Sequence, residues 1–369
     1  MDSSFPIKDT IYDYYVDPGQ RCFMPWDAKL SDNWKYNENE PFYKIIVPTV
    51  DTVRYEYLVS KMLQDGYPVL LVGNVGTGKT STAVSVMESC DNTKYTVLSI
   101  NISAQTTAAG LQESIENRTE KRTKTHFVPI GGKRMICFMD DFNMPAKDTY
   151  GSQPPLELIR QWIDYKYWFN RRTQQKIYVV NALVMAGMGP PGGGRQEISS
   201  RTMSRFYLLN LTFPTETVIM RIFGSMLKQK LLIFSNEIRE MWHSITAATI
   251  NLYNDVIVRM LPTPTKSHYL FNLRDISKVF QGLLRASSES QVKKAQFLRL
   301  WIHECFRVFS DRLVDDFDLG WFLDEMNAVF GRYMEVTFHS LCPNKMSPIF
   351  GDFMSMQGYY EDLDFAKLR

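Results

Sequence analysis

Pro68-Val-Leu-Leu-Val72, followed without a break by Gly73-Asn74-Val75-Gly76-Thr77-Gly78-Lys79-Thr80, is the stretch that decides the fold. The first part is short and continuously apolar, as a strand buried on both faces must be. The second satisfies G-x-x-x-x-G-K-S/T. Glycines there let backbone N–H groups turn inward around phosphate oxygens, where side chains would obstruct. An Ala/Val/Met-rich stretch follows and predicts a helix over Thr80–Cys90, whose positive N-terminal end adds to the anion site. Lys79 is positioned for the β- and γ-phosphates of ATP or ADP, and the Thr80 hydroxyl for Mg²⁺. A Gly-rich turn without a ligand is the competing reading. The strand before and the helix after argue against it.

Working outward, a second apolar run, Met135–Met139, ends in Asp140-Asp141 about 60 residues after the loop. A carboxylate at a strand tip beside the phosphate loop is where the Mg²⁺ shell needs charge, a Walker B arrangement assigned to Asp140. Asp141 stands where many AAA+ ATPases carry the Glu that orients the attacking water. Asp is one methylene shorter, and an error near 1 Å in such positioning can cost about a hundredfold in rate. Slow turnover is therefore expected, with binding unaffected. Further strands are predicted at Tyr95–Ile100, Ile177–Met185 and Arg205–Leu211, and further helices at Ala104–Lys121 and Pro155–Phe169. The alternation predicts an α/β fold of P-loop NTPase type, a parallel five-stranded sheet covered by helices. Beyond Pro214 strand signals stop, and Leu, Ile, Phe and Met recur at three-to-four spacing, predicting an all-helical lid domain. The expected division is a connecting segment over 1–43, the nucleotide-binding domain over 44–214, the lid over 215–345 and a further connection over 346–369.

Three other places are candidates. Arg205, at the start of the last strand, stands where ring-forming ATPases carry an Arg that leaves its own subunit and meets the γ-phosphate of the neighbour, with Arg201 one turn earlier as the rival. Arg274, where a lid helix begins, would contribute charge to the γ-phosphate and couple hydrolysis to lid rotation. Ile46-Val47 ahead of the loop could sandwich adenine, or be an ordinary turn.

Bulk properties exclude several classes. The chain has 369 residues, 44% hydrophobic and 22% charged, with a net charge of +2. Near-balance gives no electrostatic reason to expect a nucleic-acid or membrane partner. Five scattered cysteines without metal-like spacing read as reduced thiols. No apolar run reaches the length that spans a bilayer, and charges at Asp2, Lys8, Asp9, Asp13 and Asp17 rule out a signal-peptide core, so a soluble intracellular protein is expected. Arg118, Lys121, Arg122 and Lys124 lack interleaved aromatics and read as a solvated helix face. Trp162, Tyr165, Tyr167, Trp168 and Phe169 read as core or module packing. His303 and Cys305 point to different helix faces and make a poor metal pair.

Phe138-Met-Asp-Asp-Phe-Asn-Met-Pro145, Asp148-Thr-Tyr-Gly-Ser-Gln-Pro-Pro155, Gly187-Met-Gly-Pro-Pro-Gly-Gly-Gly-Arg195, His268-Tyr-Leu-Phe-Asn-Leu-Arg-Asp275 and Trp301-Ile-His-Glu-Cys-Phe-Arg-Val-Phe-Ser-Asp-Arg312 resemble the third AAA+ module of axonemal dynein heavy chains. Ile349-Phe-Gly-Asp352 resembles the approach to the fourth module. The resemblance implies one piece of a six-module ring that drives microtubule movement in cilia and flagella. Its partners would be adjacent modules of the same chain, with microtubules and the dynein intermediate and light chains reached through parts outside these residues. The third module is implied to bind nucleotide and gate the ring with slow turnover. Where the usual sensor Asn would stand is Gly189, Asn181 being too early on the strand. Two alternatives remain: a nucleotide strut without hydrolysis, favoured by Asp141 and Gly189, and a nucleic-acid-dependent remodeller, disfavoured by charge.

Overall fold

A computed structural model of the chain describes residues 10–30, 34–342, 347–353 and 358–363. By contact it divides into two units, Met1–Leu30 with Val50–Phe213 and Ser31–Thr49 with Pro214–Arg369.

The first unit opens with a hairpin of β1 (Tyr14–Asp17) and β2 (Cys22–Pro25). It is tied down by Trp26, whose ring lies 5.4 Å from that of Tyr57 on α1 (Val50–Gln64). There follow β3 (Val69–Val72), α2 (Lys79–Ser89), β4 (Tyr95–Asn101), α3 (Ala108–Glu116), β5 (Thr119–Lys121), β6 (His126–Pro129), β7 (Arg134–Asp140), α4 (Pro154–Tyr165), β8 (Tyr167–Phe169), β9 (Lys176–Val179), β10 (Ala182–Met188), α5 (Ser200–Met203) and β11 (Tyr207–Asn210). Five of these strands form one sheet in the order β11-β3-β10-β7-β4, and every pairing is parallel. Alternation in β7 shows why both faces need cover. Met135, Cys137 and Met139 pack with Leu111, Ile115, Leu156 and Ile159 of α3 and α4, while Ile136 and Phe138 pack with Val59, Leu63, Ala83 and Val86 of α1 and α2. A parallel sheet brings all its strand C-termini to one edge, which is where ligands of such folds bind. Here that edge holds Gly73, Asp140 and Gly189.

Three expected elements are corrected. The run Ile177–Met185 is two strands: β9 joins a separate sheet of order β5-β6-β9-β8, and β10 joins the main one. Between them Asn181 takes φ 59°, a left-handed turn that apolar periodicity does not reveal. The helix expected over Ala104–Lys121 begins only after Thr107, whose hydroxyl caps the amide of Gly110, and ends at Glu116. The basic residues beyond it lie on the β5–β6 hairpin segment rather than on a helix face. The helix expected to reach Phe169 stops at Lys166, which takes φ 60°, and the aromatic residues after it form β8. Trp162 and Trp168 are buried with ring centroids 5.2 Å apart. Each indole donates, Trp162 to the Val179 carbonyl at 3.1 Å and Trp168 to Glu116 Oε1 at 2.8 Å.

The second unit contains α6 (Glu216–Lys230), α7 (Asn236–Arg239), α8 (Trp242–Arg259), α9 (Leu273–Leu284), α10 (Lys294–Val308), α11 (Asp316–Tyr333) and α12 (Phe338–Leu341), with a short pair β12 (Phe350–Gly351) and β13 (Glu361–Asp362). Its core centres on Phe280, Phe297, Trp301 and Phe322. Trp34, Tyr36, Phe42, Ile45 and Val47 pack on that core, so by contact residues 34–49 go with the helical unit. Among the described residues no helix is long and apolar enough to cross a membrane. All five cysteines are free, and burial pushes the Cys137 thiol in β7 up to about 12.

Candidate functional site

The phosphate loop runs from the end of β3 into α2. A side chain at Gly73 would fall 2.5 Å from the Leu211 carbonyl oxygen, so only glycine admits this close approach of loop and sheet. Gly78 takes φ 84° and caps α2, a conformation that turns its neighbours' amides inward at little cost. Lys79 Nζ donates to the carbonyls of Gly73 at 2.9 Å and Asn74 at 2.7 Å, which folds the ammonium over the loop. The Thr77 hydroxyl donates to the Asn74 carbonyl at 3.0 Å. Val75 and Gly76 form the turn between, with Gly76 at φ 87°.

Thr80 Oγ1 donates to Asp140 Oδ2 at 2.6 Å. These two oxygens, one at the start of α2 and one at the tip of β7, are hard donors brought together by the fold. They suit a Mg²⁺ ion that takes its remaining ligands from phosphates and water. Asp140 is fixed further by its Oδ1, which accepts from the Asp141 amide at 3.0 Å, and by its carbonyl, which accepts from the Ile102 amide at 3.0 Å.

Asp141 takes φ 51°. Its Oδ1 lies 3.3 Å from Arg195 Nη2. This arginine arrives through Gly192, Gly193 and Gly194, all at positive φ, and its amide and carbonyl pair with those of Gly192 at 3.1 and 3.0 Å. The loop is held by Asn143, 1% exposed, whose Nδ2 donates to the Gly189 carbonyl at 2.8 Å and whose own carbonyl accepts from the Gln196 amide at 2.9 Å. Arg195 and Asn143 were not among the sequence candidates. The only sequence signal was an arginine closing a glycine run that follows a buried strand.

The remaining candidates are dispersed. Arg205 Nε pairs with Asp164 Oδ1 at 2.8 Å, two residues ahead of β11 rather than inside it. Arg201 is exposed on α5. Arg274 opens α9 just after its cap Asn272 and is exposed, while Asp275 pairs instead with Lys278 and Arg312. Ile46 and Val47 belong to the second unit, Val47 being buried in its core. His303 bonds the Pro348 carbonyl at 3.1 Å and the Tyr360 hydroxyl at 3.0 Å.

With a phosphate loop, a strand-tip carboxylate and a helical second unit in place, comparison with known proteins narrows the family. The description "P-loop containing dynein motor region" matches residues 34–214, and "dynein heavy chain, ATPase lid domain" matches 222–318. The chain belongs to the dynein heavy-chain family. It is 57% identical over 363 residues to dynein axonemal heavy chain 2 of Mus musculus and 56% identical to that of Homo sapiens, in both cases over 98% of this chain. It is 40% identical over 356 residues, 96% of this chain, to the dynein-1-beta heavy chain of the flagellar inner arm I1 complex of Chlamydomonas reinhardtii. The chain spans 8% of the length of each of these dyneins. The two matched regions set a P-loop motor region ahead of a lid, as the five-stranded sheet precedes the helices α6 to α12 here.

Proposed function

We propose that this chain is the third ATP-binding module of an axonemal dynein ring, holding Mg-ATP or Mg-ADP and regulating the ring with slow turnover. The observation that carries the reading is the 2.6 Å bond between Thr80 and Asp140 at the mouth of the phosphate loop. Bound Mg²⁺ would neutralise charge on the phosphates. Around it, the loop amides of residues 73–80 bind phosphate oxygens, Lys79 exchanges its carbonyl partners for them, and Thr80 and Asp140 hold the ion. Residues 44–214 act as the nucleotide-binding domain and 215–345 as its lid, with 1–43 and 346–369 leading from and to adjacent modules. Arg205 serves a neighbouring site, with Arg201 as its rival, and Arg274 reads the nucleotide from the lid. Microtubules and the intermediate and light chains are engaged by other parts of the heavy chain, in the cytoskeleton of the ciliary or flagellar axoneme.

The test is binding of a fluorescent ATP analogue to the 369-residue chain. Losing the Lys79 charge should weaken affinity about tenfold or more in Lys79→Ala. Undiminished affinity would overturn the assignment. A second reading, a nucleotide strut without hydrolysis, is favoured by the pairing of Asp141 with Arg195, which engages the carboxylate that would align water. Single-turnover hydrolysis separates the two: wild type and Asp141→Asn equally inert supports the strut, and a wild-type rate lost in the variant supports the ATPase.

A further inference from the structure

Gly189 directly follows β10, the strand between β3 and β7, at the ligand edge of the sheet. A Cβ at that position would meet Arg195 Nε at 3.0 Å, Cδ at 3.1 Å and Cζ at 3.4 Å. The space a side chain of residue 189 would need is therefore filled by the guanidinium of Arg195. Two further observations point the same way. Arg195 Nε is buried and has no hydrogen-bond acceptor among the described residues. Its Nη2 meets Asp141 Oδ1 only at 3.3 Å, with that carboxylate half exposed, so the pairing is open to competition. The positive-φ glycines and the Asn143 anchor hold this arginine against the strand ends rather than letting it extend into solvent.

We propose that Arg195 is the residue of this site that distinguishes a triphosphate from a diphosphate. A terminal phosphate oxygen, more strongly charged than the Asp141 carboxylate, takes the guanidinium by charge-assisted hydrogen bonds. Asp141 is thereby released from Arg195 when, and only when, a third phosphate is bound. Gly189 is the enabling residue, because a side chain there would press on the guanidinium at 3.0 to 3.4 Å and push it out of its present place. The inference rests on the phosphate-loop reading above, and concerns which residue senses the last phosphate rather than whether nucleotide binds.

The experiment compares affinities of fluorescent ATP and ADP analogues, with Mg²⁺, for the wild-type 369-residue chain, Arg195→Ala, Arg195→Gln and Lys79→Ala. Removing a charge-assisted contact to the last phosphate should cut the ATP-over-ADP preference roughly 10- to 100-fold in both Arg195 variants. ADP affinity should stay within about twofold, which also reports that the pocket is folded; Arg195→Gln, nearer in size, decides if Arg195→Ala fails to fold. An unchanged ATP-over-ADP ratio in Arg195→Gln, with Lys79→Ala still defective, would overturn the role of Arg195 alone. Lys79→Ala without effect would overturn both readings together.

Discussion

Asp318, 6% exposed at the start of α11, accepts from Lys266 Nζ at 2.5 Å and from the Tyr269 hydroxyl at 2.8 Å. Burial alone would raise its pKa. The two hydrogen bonds and the Lys266 charge outweigh that and hold the carboxyl below its ordinary range. Because the folded value lies below the unfolded one, the unfolded chain takes up this proton more readily in acid. The group therefore stabilises the fold above about pH 4 and ceases to do so as pH falls through the folded value. Asp318→Asn should cost about 1–2 kcal/mol at neutral pH. It should also flatten the loss of stability as pH falls below about 4. Urea unfolding at three pH values measures both, and parallel wild-type and variant curves would show that Asp318 is not the linked group. The same scale explains the site. Lys79, Thr80 and Asp140 were legible because their residue types fit one chemistry at one spacing. Arg195 was not, because its placement depends on three consecutive glycine torsions.

Elements were legible where one pattern held for their whole length. β3 and β7 are short apolar runs and were located to within a residue. The stretch from 176 to 188 was not, because two strands of different sheets meet at the left-handed Asn181 and share a hydrophobic run that only this one residue interrupts. Tyr167, Trp168 and Phe169 continue a helical spacing, yet pair with β9, where aromatic side chains pack well across strands. The α9–α10 contact shows how packing overrides propensity. A Cβ on Gly282 of α9 would lie 2.0 to 2.4 Å from the Glu304 carboxylate of α10, which is fully buried and bonded to Tyr360 at 2.7 Å and to Arg307. Helix propensity alone would make Gly282→Ala stabilising by about 1 kcal/mol. Overpacking against a charge that cannot move freely costs about 1–3 kcal/mol. We expect net destabilisation, read as a lower urea midpoint; a raised midpoint would mean that Glu304 yields.

At the scale of the molecule, the chain enters the helical unit twice, first through residues 34–49 and again from Pro214. Gln229 on α6 ties the earlier visit down, donating to the Trp34 carbonyl at 2.8 Å and accepting from the Tyr36 amide at 2.5 Å. Val47 is buried in the same core, and covering such a side chain contributes about 1.5–3 kcal/mol. A chain beginning at residue 50 should therefore show amide exchange in α6 faster by about tenfold or more. Unchanged exchange would mean that this segment adds nothing to the helical unit. Sequence by itself determined the phosphate loop, the strand-tip carboxylates, the parallel α/β plan and the helical region after Pro214. Each is written in local periodicity or in a contiguous motif, which short-range sterics and burial enforce. Tertiary structure alone decided that Arg195 lies against Gly189 and that residues 34–49 belong with helices far along the chain. Those outcomes depend on left-handed torsions and on side chains meeting across long sequence separations, neither of which leaves a periodic trace.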